Sequence, residues 1–230
     1  MMRLLLFDID GTLVDTQGAG RAALERAMLE VYEETGPIDE FDFHGRTDPS
    51  IVRELLRTAG RTDPWIAARF PTLWKTYLAF LDEELAAREG RISLFSGVQE
   101  LLDRLRSDDR FATGLVTGNL QGGAVRKLRA ARIDDRFAFG AYGSDSERRA
   151  DLPPLAVRRA SELLGRRYRT ADAIVIGDTP EDIGCARASG ARVLAVATGR
   201  HGPAELRHHR PDAVMETLAD TDEILRILAE

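Results

Sequence analysis

The chain has 230 residues, 43% of them hydrophobic and 30% charged, and it carries a net charge of −6. An acidic balance with no basic stripe argues against a nucleic-acid partner, because phosphate backbones require clustered positive charge. The single cysteine, Cys185, and the lack of an uncharged stretch long enough for a signal peptide or a membrane span predict a cytoplasmic protein without a membrane partner.

The first predicted strand, residues 4–8, ends in the acidic sequence Asp8-Ile9-Asp10-Gly11-Thr12. Because alternate side chains of a strand point to the same face, Asp8 and Asp10 are expected to share a small site. Their repulsion is relieved when a cation lies between them, so the pair indicates a magnesium site in which one carboxylate can react. An ordinary Asp-Gly turn is the alternative that involves no function.

Residues 16–93 contain no convincing strand pattern and predict three or four helices. Apolar residues recur at helical spacing over 18–34, and a longer amphipathic segment begins at Pro64. Between them, Thr47 is expected to cap a helix that has Pro49 in its first turn. An insertion of this size after the first strand predicts a helical cap domain.

The loop over 43–48 is the part of this insertion best suited to choose a substrate. Arg46 offers a cation that can pair with a substrate carboxylate or a second phosphate, although it can equally brace the helices. His44 lies beside it and is more commonly a structural residue than a ligand in such a position.

Short aliphatic strands alternate with helical patterns over the rest of the chain. They are expected at 112–117, 137–141, 173–177, 192–197 and 213–215. Strands spaced by helices predict an α/β fold with a doubly wound parallel sheet. We therefore expect an α/β catalytic core formed by residues 1–15 and 94–230, with residues 16–93 as the inserted cap.

Two further strands end in polar sequences, Thr117-Gly118-Asn119 and Gly177-Asp178-Thr179-Pro180-Glu181-Asp182. The carboxyl ends of parallel strands meet at one edge of an open sheet, so these segments should converge on Asp8. A hydroxyl with free backbone N–H groups suits a phosphate. The carboxylates of Asp178 and Asp182 suit magnesium, which takes oxygen ligands.

In order and spacing, these three segments resemble the first, second and fourth motifs of the haloacid dehalogenase superfamily. Within it, the chain is similar to the phosphoglycolate phosphatase-like branch, which has a helical cap. The resemblance implies a Rossmann-like core and magnesium-dependent hydrolysis of a small phosphorylated metabolite. It implies that Asp8 is the nucleophile, forming an aspartyl-phosphate, and that Asp10 protonates the leaving oxygen and later activates water.

The resemblance also assigns the surroundings of the phosphate. Mg²⁺ would be held by a carboxylate oxygen of Asp8, the main-chain carbonyl of Asp10 and the side chain of Asp178. The phosphate would be bound by three consecutive residues, Thr117, Gly118 and Asn119. Asp182 would orient a metal-bound water or a neighbouring cation, and the alternative is an exposed acid stabilised by its helix dipole.

The third motif of the family is normally a lysine, and here the chain departs from the pattern. Its only lysines are Lys75 and Lys127, and neither lies at the expected place. Arg149 fits the spacing best, with Arg148 beside it. An arginine there can bind the phosphate and neutralise it and the nucleophile, although it is bulkier and not interchangeable with lysine. The alternative is that both are solvated loop charges.

Other activities remain open. A β-phosphoglucomutase-type phosphotransferase shares nearly all these residues, whereas the phosphonoacetaldehyde hydrolase type needs a cap lysine, for which Lys75 is the only candidate. A non-catalytic phosphoacceptor domain would keep the fold but turn over slowly. Asp10 favours phosphate esters, because the dehalogenase branch lacks an acid there. The sequence does not identify the metabolite, and it does not distinguish a monomer from a homodimer.

Overall fold

A six-stranded parallel sheet forms the centre of the computed structural model, which describes residues 2–230. Its strands are β1 (Arg3–Phe7), β4 (Phe111–Thr117), β5 (Phe139–Tyr142), β6 (Ala173–Gly177), β7 (Arg192–Val196) and β8 (Ala213–Met215), in the spatial order β5-β4-β1-β6-β7-β8. All neighbouring pairs in this sheet are parallel. The α/β fold with a doubly wound parallel sheet is therefore confirmed, and each strand lies within two residues of its predicted bounds.

The central strand β1 is apolar throughout because helices cover both faces of the sheet. Leu5 and Phe7 point into one hydrophobic cluster, whereas Leu4 and Leu6 point into the cluster on the opposite face. All four side chains are fully buried. A strand buried on both faces has a continuous apolar sequence rather than an alternating one.

Within the described residues 2–230, six helices flank the sheet and alternate with its strands. They are α5 (Val98–Arg106), α6 (Gln121–Ala130), α7 (Leu152–Leu163), α8 (Pro180–Ser189), α9 (Pro203–His208) and α10 (Thr221–Ala229). Cys185 lies in α8 as a buried free thiol. No helix within residues 2–230 is long and apolar enough to span a membrane.

Four helices lie between the two short strands β2 (Val14–Asp15) and β3 (Ser93–Leu94), and we call this part the helical insertion. They are α1 (Ala19–Tyr32), α2 (Asp48–Thr58), α3 (Asp63–Ala67) and α4 (Phe70–Ala87). Their buried side chains form a third cluster, distinct from the two clusters of the sheet, and Leu120 of the core also belongs to it. β2 and β3 pair antiparallel over two residues each, a ladder too short to leave a pattern in the sequence.

Two features of the insertion show how local sequence determines its helices. Thr47 caps α2 as expected, since its Oγ1 accepts a hydrogen bond from the Ser50 N–H. The amphipathic segment expected from Pro64 holds two helices, α3 and α4, so the insertion has four helices, within the expected three or four. Pro71 stands at the start of α4, where its missing N–H and its ring prevent a continuous helix from running through.

Candidate active site

Three buried carboxylates meet at the carboxyl edge of the sheet. Asp8 follows β1, Asp178 follows β6, and Asp182 lies in the first turn of α8. β1 and β6 are neighbours, and the Asp8 N–H donates to the Ile176 carbonyl over 2.9 Å, so the two strand ends are held side by side. One ligand oxygen from each acid lies within 4.8 Å of the others.

Asp178 has one carboxylate oxygen that is paired and one that is not. Its Oδ1 accepts a hydrogen bond of 2.9 Å from the Thr12 hydroxyl, whereas its buried Oδ2 has no hydrogen-bond partner among residues 2–230. A Cβ on Gly11 would lie 2.4 Å from this Oδ2, and one on Gly199 would lie 1.8 Å from it, so two glycines make room here. Burial and the nearby acids raise the pKa of Asp178 well above its usual range.

Arg149 supplies the positive charge next to these acids. It lies in a 3-10 turn before α7, its side chain is 9% exposed, and its Nη2 lies 3.2 Å from Asp8 Oδ1 while also donating to Asp182. The adjacent Arg148 is exposed. The structure therefore places Arg149 rather than Arg148 in the cluster, and Arg149 is not a solvated loop charge.

The charges at Asp8 are only partly balanced. Burial raises the pKa of Asp8 to about 6, Arg149 opposes this rise, and the charges of Asp182 and Asp10 add to it. Three carboxylates against one guanidinium leave an excess of negative charge in a buried place. Such a set of oxygen donors fits a hard divalent cation.

Asp182 is fixed in place by hydrogen bonds from a residue close to it in sequence and by a contact within the cluster. It is fully buried, and its Oδ2 accepts a hydrogen bond of 2.6 Å from the Thr179 hydroxyl and another from the Thr179 N–H. Thr179 is the N-cap of α8, so a capping box orients Asp182 toward Arg149. The alternative of an exposed helix-dipole acid was therefore wrong.

Asp10 does not join the three-acid cluster. Its carboxylate accepts a hydrogen bond of 2.8 Å from Asn119 Nδ2 and forms an ion pair with Lys127, whose Nζ lies 2.6 Å from Oδ2. Strand alternation predicted a site shared by Asp8 and Asp10, and both side chains line one cavity, although Asp10 pairs with Lys127 rather than with the other acids.

Lys127 is a site residue that the sequence analysis missed. It lies on α6, and its helical spacing from the buried Gly123 and Ala124 was the available signal. A lysine on an apolar helix face needs a partner for its charge, because an unpaired buried ammonium is very costly. The sequence does not show which carboxylate provides it.

The proposed phosphate-binding residues lie at the end of β4. Thr117 is fully buried, and its Oγ1 accepts a hydrogen bond of 2.8 Å from Asn119 Nδ2, which leaves the hydroxyl proton free to donate. A Cβ on Gly118 would lie 1.9 Å from the Arg46 carbonyl oxygen, so only glycine allows the insertion to approach this closely. The Gly118 carbonyl accepts from the Asp48 N–H over 2.8 Å.

A cavity of about 830 Å³ lies between the sheet edge and the helical insertion, and Asp8, Asp10 and Arg149 line it from the core side. Arg46 and His44 line it from the insertion. Both are already engaged, since Arg46 pairs with Glu54 and lies over the Phe41 ring, while His44 Nδ1 lies 2.7 Å from Asp42 Oδ1. The two side chains reach the cavity but also brace their own loop.

The chain matches known proteins over most of its length. The family of haloacid dehalogenase-like hydrolases matches residues 5–196. The pyrophosphatase PpaX of Listeria monocytogenes is 26% identical over 224 residues, which cover 96% of this chain and 95% of that protein. The phosphoglycolate phosphatase of Synechococcus elongatus is 29% identical over 221 residues, which cover 95% of both chains.

Solved structures share the fold at lower identity. A predicted phosphoglycolate phosphatase from Haemophilus somnus gives a TM-score of 0.70 at 19% identity, covering 97% of this chain and 98% of that chain. A hydrolase from Pseudomonas syringae gives 0.71 at 20% identity, covering all of both chains. The resemblance seen in the sequence motifs is confirmed by the family match: the chain belongs to the haloacid dehalogenase-like hydrolase family.

Proposed function

We propose that the chain is a magnesium-dependent phosphatase that hydrolyses a small phosphorylated metabolite through a phosphate bound covalently to Asp8. The observation that carries the proposal is the placement of Asp8 on the cavity, beside the Arg149 guanidinium and in one cluster with the unpaired oxygen of Asp178. Membership of a hydrolase family supports it. Relatives named phosphoglycolate phosphatase and pyrophosphatase support a phosphorylated substrate.

The acid cluster fits the proposed cofactor. Asp8 and Asp178 would hold Mg²⁺ together with the main-chain carbonyl of Asp10, and Asp182 would orient Arg149 or a metal-bound water. The free Asp178 oxygen and the excess negative charge support this assignment. When bound, Mg²⁺ neutralises charge on the phosphate and the acids, so that an ionised carboxylate can approach phosphorus.

The residues of the chain divide the proposed reaction between them. Asp8 attacks phosphorus, the bond to the ester oxygen breaks, and that oxygen leaves with the electron pair and takes a proton from Asp10. Asp10 then removes a proton from water, which attacks the phosphorus and releases phosphate from Asp8. Arg149 and the Thr117 hydroxyl would bind the phosphoryl oxygens throughout.

Residues 16–93 would act as a cap that closes over the cavity and chooses the substrate. A separate hydrophobic cluster and the short β2–β3 ladder at its two ends support this role. Contacts between loop 46–48 and the core would hold the cap closed, and one of them is the Thr47 hydroxyl donating to the Glu147 carbonyl over 2.9 Å. Excluding water strengthens the electrostatic interactions of the site.

A panel of phosphorylated compounds, assayed for phosphate release with and without Mg²⁺, tests the proposal. Phosphoglycolate, inorganic pyrophosphate and sugar phosphates belong on it, because the relatives divide between two named substrates. We expect Mg²⁺-dependent release that is lost in Asp8→Asn. The variant's thermal unfolding midpoint serves as the control that it remains folded.

Other outcomes distinguish the alternatives. Return of the phosphate to a sugar, with little release to water, indicates a phosphotransferase. A stable phosphoprotein indicates a phosphoacceptor domain without turnover. No phosphate release from any compound, with ample Mg²⁺ and folded protein, contradicts the proposal.

A further inference from the structure

Lys127 occupies an unusual position for a lysine. Its side chain is only 5% exposed, and it is one of two lysines in the chain, the other being the exposed Lys75 on α4. Gly20 of α1 passes directly over it, since a Cβ on Gly20 would lie 3.0 Å from Lys127 Nζ. The ammonium therefore belongs to the α/β part of the chain, and the helical insertion covers it.

All three donors of the Lys127 ammonium are used within the site. Nζ lies 2.8 Å and 2.6 Å from the two carboxylate oxygens of Asp10, and it donates to Asn119 Oδ1 over 2.7 Å. An ammonium has three donors and no acceptor, so this set satisfies it completely. Both Asp10 oxygens are held, which restricts rotation of the carboxylate.

The contact with Asn119 extends this control to the phosphate-binding residue. A lysine can only donate, so it must face the amide oxygen of Asn119 and direct the amide nitrogen the other way. That nitrogen donates over 2.8 Å both to Asp10 Oδ2 and to Thr117 Oγ1. Thr117 thus accepts from Asn119, and its own proton remains available for a phosphoryl oxygen.

We propose that Lys127 is a positioning residue that fixes the Asp10 carboxylate and, through Asn119, the direction of the Thr117 hydroxyl. The inference rests on the proposed function, because these are the groups that would serve the leaving oxygen and the phosphate. It also explains why the chain retains a lysine inside α6 at a place where an apolar residue would pack without any need for a charge partner.

The first test needs no activity. Lysine labelled with ¹³C at Cε gives two lysine signals, one each for Lys75 and Lys127. We expect Asp10→Asn to shift the Lys127 signal and leave that of Lys75 in place. An unchanged Lys127 signal in this folded variant would show that the ammonium does not contact Asp10 in solution, and would overturn the inference.

The second test compares Lys127→Met, Lys127→Arg and the control Lys75→Met. We expect Lys127→Met to lower kcat by about 100-fold for an alkyl phosphate, the scale of a misplaced general acid. The fall should be smaller for para-nitrophenyl phosphate, whose leaving group needs no proton. Lys127→Arg should recover part of kcat, because it keeps the charge without the same geometry. Lys75→Met should behave as the unmodified protein.

A purely structural role for Lys127 gives a different result. Below the unfolding transition of each variant, kcat would then be the same in all of them for both esters, which overturns the inference. If Lys127→Met does not fold, Lys127→Arg alone decides, since full kcat in that variant with an unchanged leaving-group preference contradicts positioning. An inactive unmodified protein would instead contradict the proposed function, and the catalytic part of the inference with it.

Discussion

Arg149 Nη2 lies 3.2 Å from Asp8 Oδ1, and both side chains are almost completely buried. The same nitrogen donates to Asp182, so one guanidinium connects the proposed nucleophile to the acid that begins α8. Its Nη1 donates over 3.2 Å to the Gly45 carbonyl of the helical insertion. Arg149 therefore links the charge balance of the site to the position of the insertion.

Replacing Arg149 with Met should destabilise the protein and nearly abolish turnover. Asp8 and Asp182 would remain buried without their cation, a loss of about 3–5 kcal/mol in the free energy of unfolding. Loss of charge at the phosphate should lower kcat by about 10²–10³. Chemical denaturation of the metal-free protein measures the loss of stability. The rate of phosphate release measures the loss of kcat.

The matched control is Arg148→Met, which removes an exposed arginine next to it. Its free energy of unfolding should stay within about 0.5 kcal/mol of the unmodified protein. Equal losses in both variants would show that Arg149 has no special place in the cluster.

Replacing Asp178 with Asn should stabilise the metal-free protein while removing its response to Mg²⁺. Burial raises the pKa of Asp178 well above its usual range, so the ionised form costs stability at neutral pH. For the unmodified protein, saturating Mg²⁺ at about 100 times its dissociation constant should add about 2.7 kcal/mol. Thermal unfolding with and without Mg²⁺ measures both changes.

Asp222→Asn is the control for charge alone, because that side chain is 87% exposed. It should leave the stabilisation by Mg²⁺ unchanged. If Asp178→Asn responds to Mg²⁺ as strongly as this control, the three-acid cluster is not the metal site.

Replacing Asp48 with Asn should change the pH dependence of stability. Burial raises the pKa of Asp48 from 3.8 to about 6, with Lys127 and the Leu120 N–H opposing the rise. The folded state binds this proton more tightly than the unfolded state, so its stabilisation is full below pH 3.8 and is lost as the pH rises through about 6.

The difference between Asp48→Asn and the unmodified protein should therefore grow with pH. An amide oxygen can still accept the 2.8 Å hydrogen bond from the Leu120 N–H, so the variant should have the higher unfolding midpoint at pH 8. The change in the pKa of Asp48 from 3.8 to about 6 corresponds to at most about 3 kcal/mol. If the difference between the unfolding midpoints of the two proteins stays constant from pH 4 to pH 8, the raised pKa of Asp48 is contradicted.

Replacing Gly118 with Ala should push the helical insertion away from the core. The new Cβ would lie 1.9 Å from the Arg46 carbonyl oxygen and 3.0 Å from Thr47 Cα, and both are backbone atoms that must move. We expect a loss of about 1–3 kcal/mol in the free energy of unfolding. Faster hydrogen exchange at the Asp48 N–H, which bonds the Gly118 carbonyl, would report the displacement.

Gly184→Ala provides the contrast, because a Cβ there has no atom within 4 Å and the residue lies inside α8. It should stabilise the protein by about 0.5–1 kcal/mol through helix propensity. Equal effects of the two alanine substitutions would mean that Gly118 is not a point of close approach.

Most of the architecture could be predicted from local patterns. Apolar strands such as 173–177 and the Thr47 cap of α2 depend on neighbouring residues only, and both were predicted correctly. The break between α3 and α4 was missed, although Pro71 was visible, because the amphipathic spacing continues across it. The β2–β3 ladder was missed because two residues do not form a detectable period.

The sequence by itself determined the parallel α/β sheet, the helical insertion and the meeting of Asp8 and Asp178, because strand ends follow from periodicity and chain order. Only the tertiary structure decided that Arg149 and not Arg148 turns inward, and that Asp10 pairs with Lys127 instead of joining the acids. Those outcomes depend on how α6 and the turn before α7 dock against the sheet. Docking brings together side chains that are far apart in the sequence, and no local sequence pattern predicts which way these side chains point.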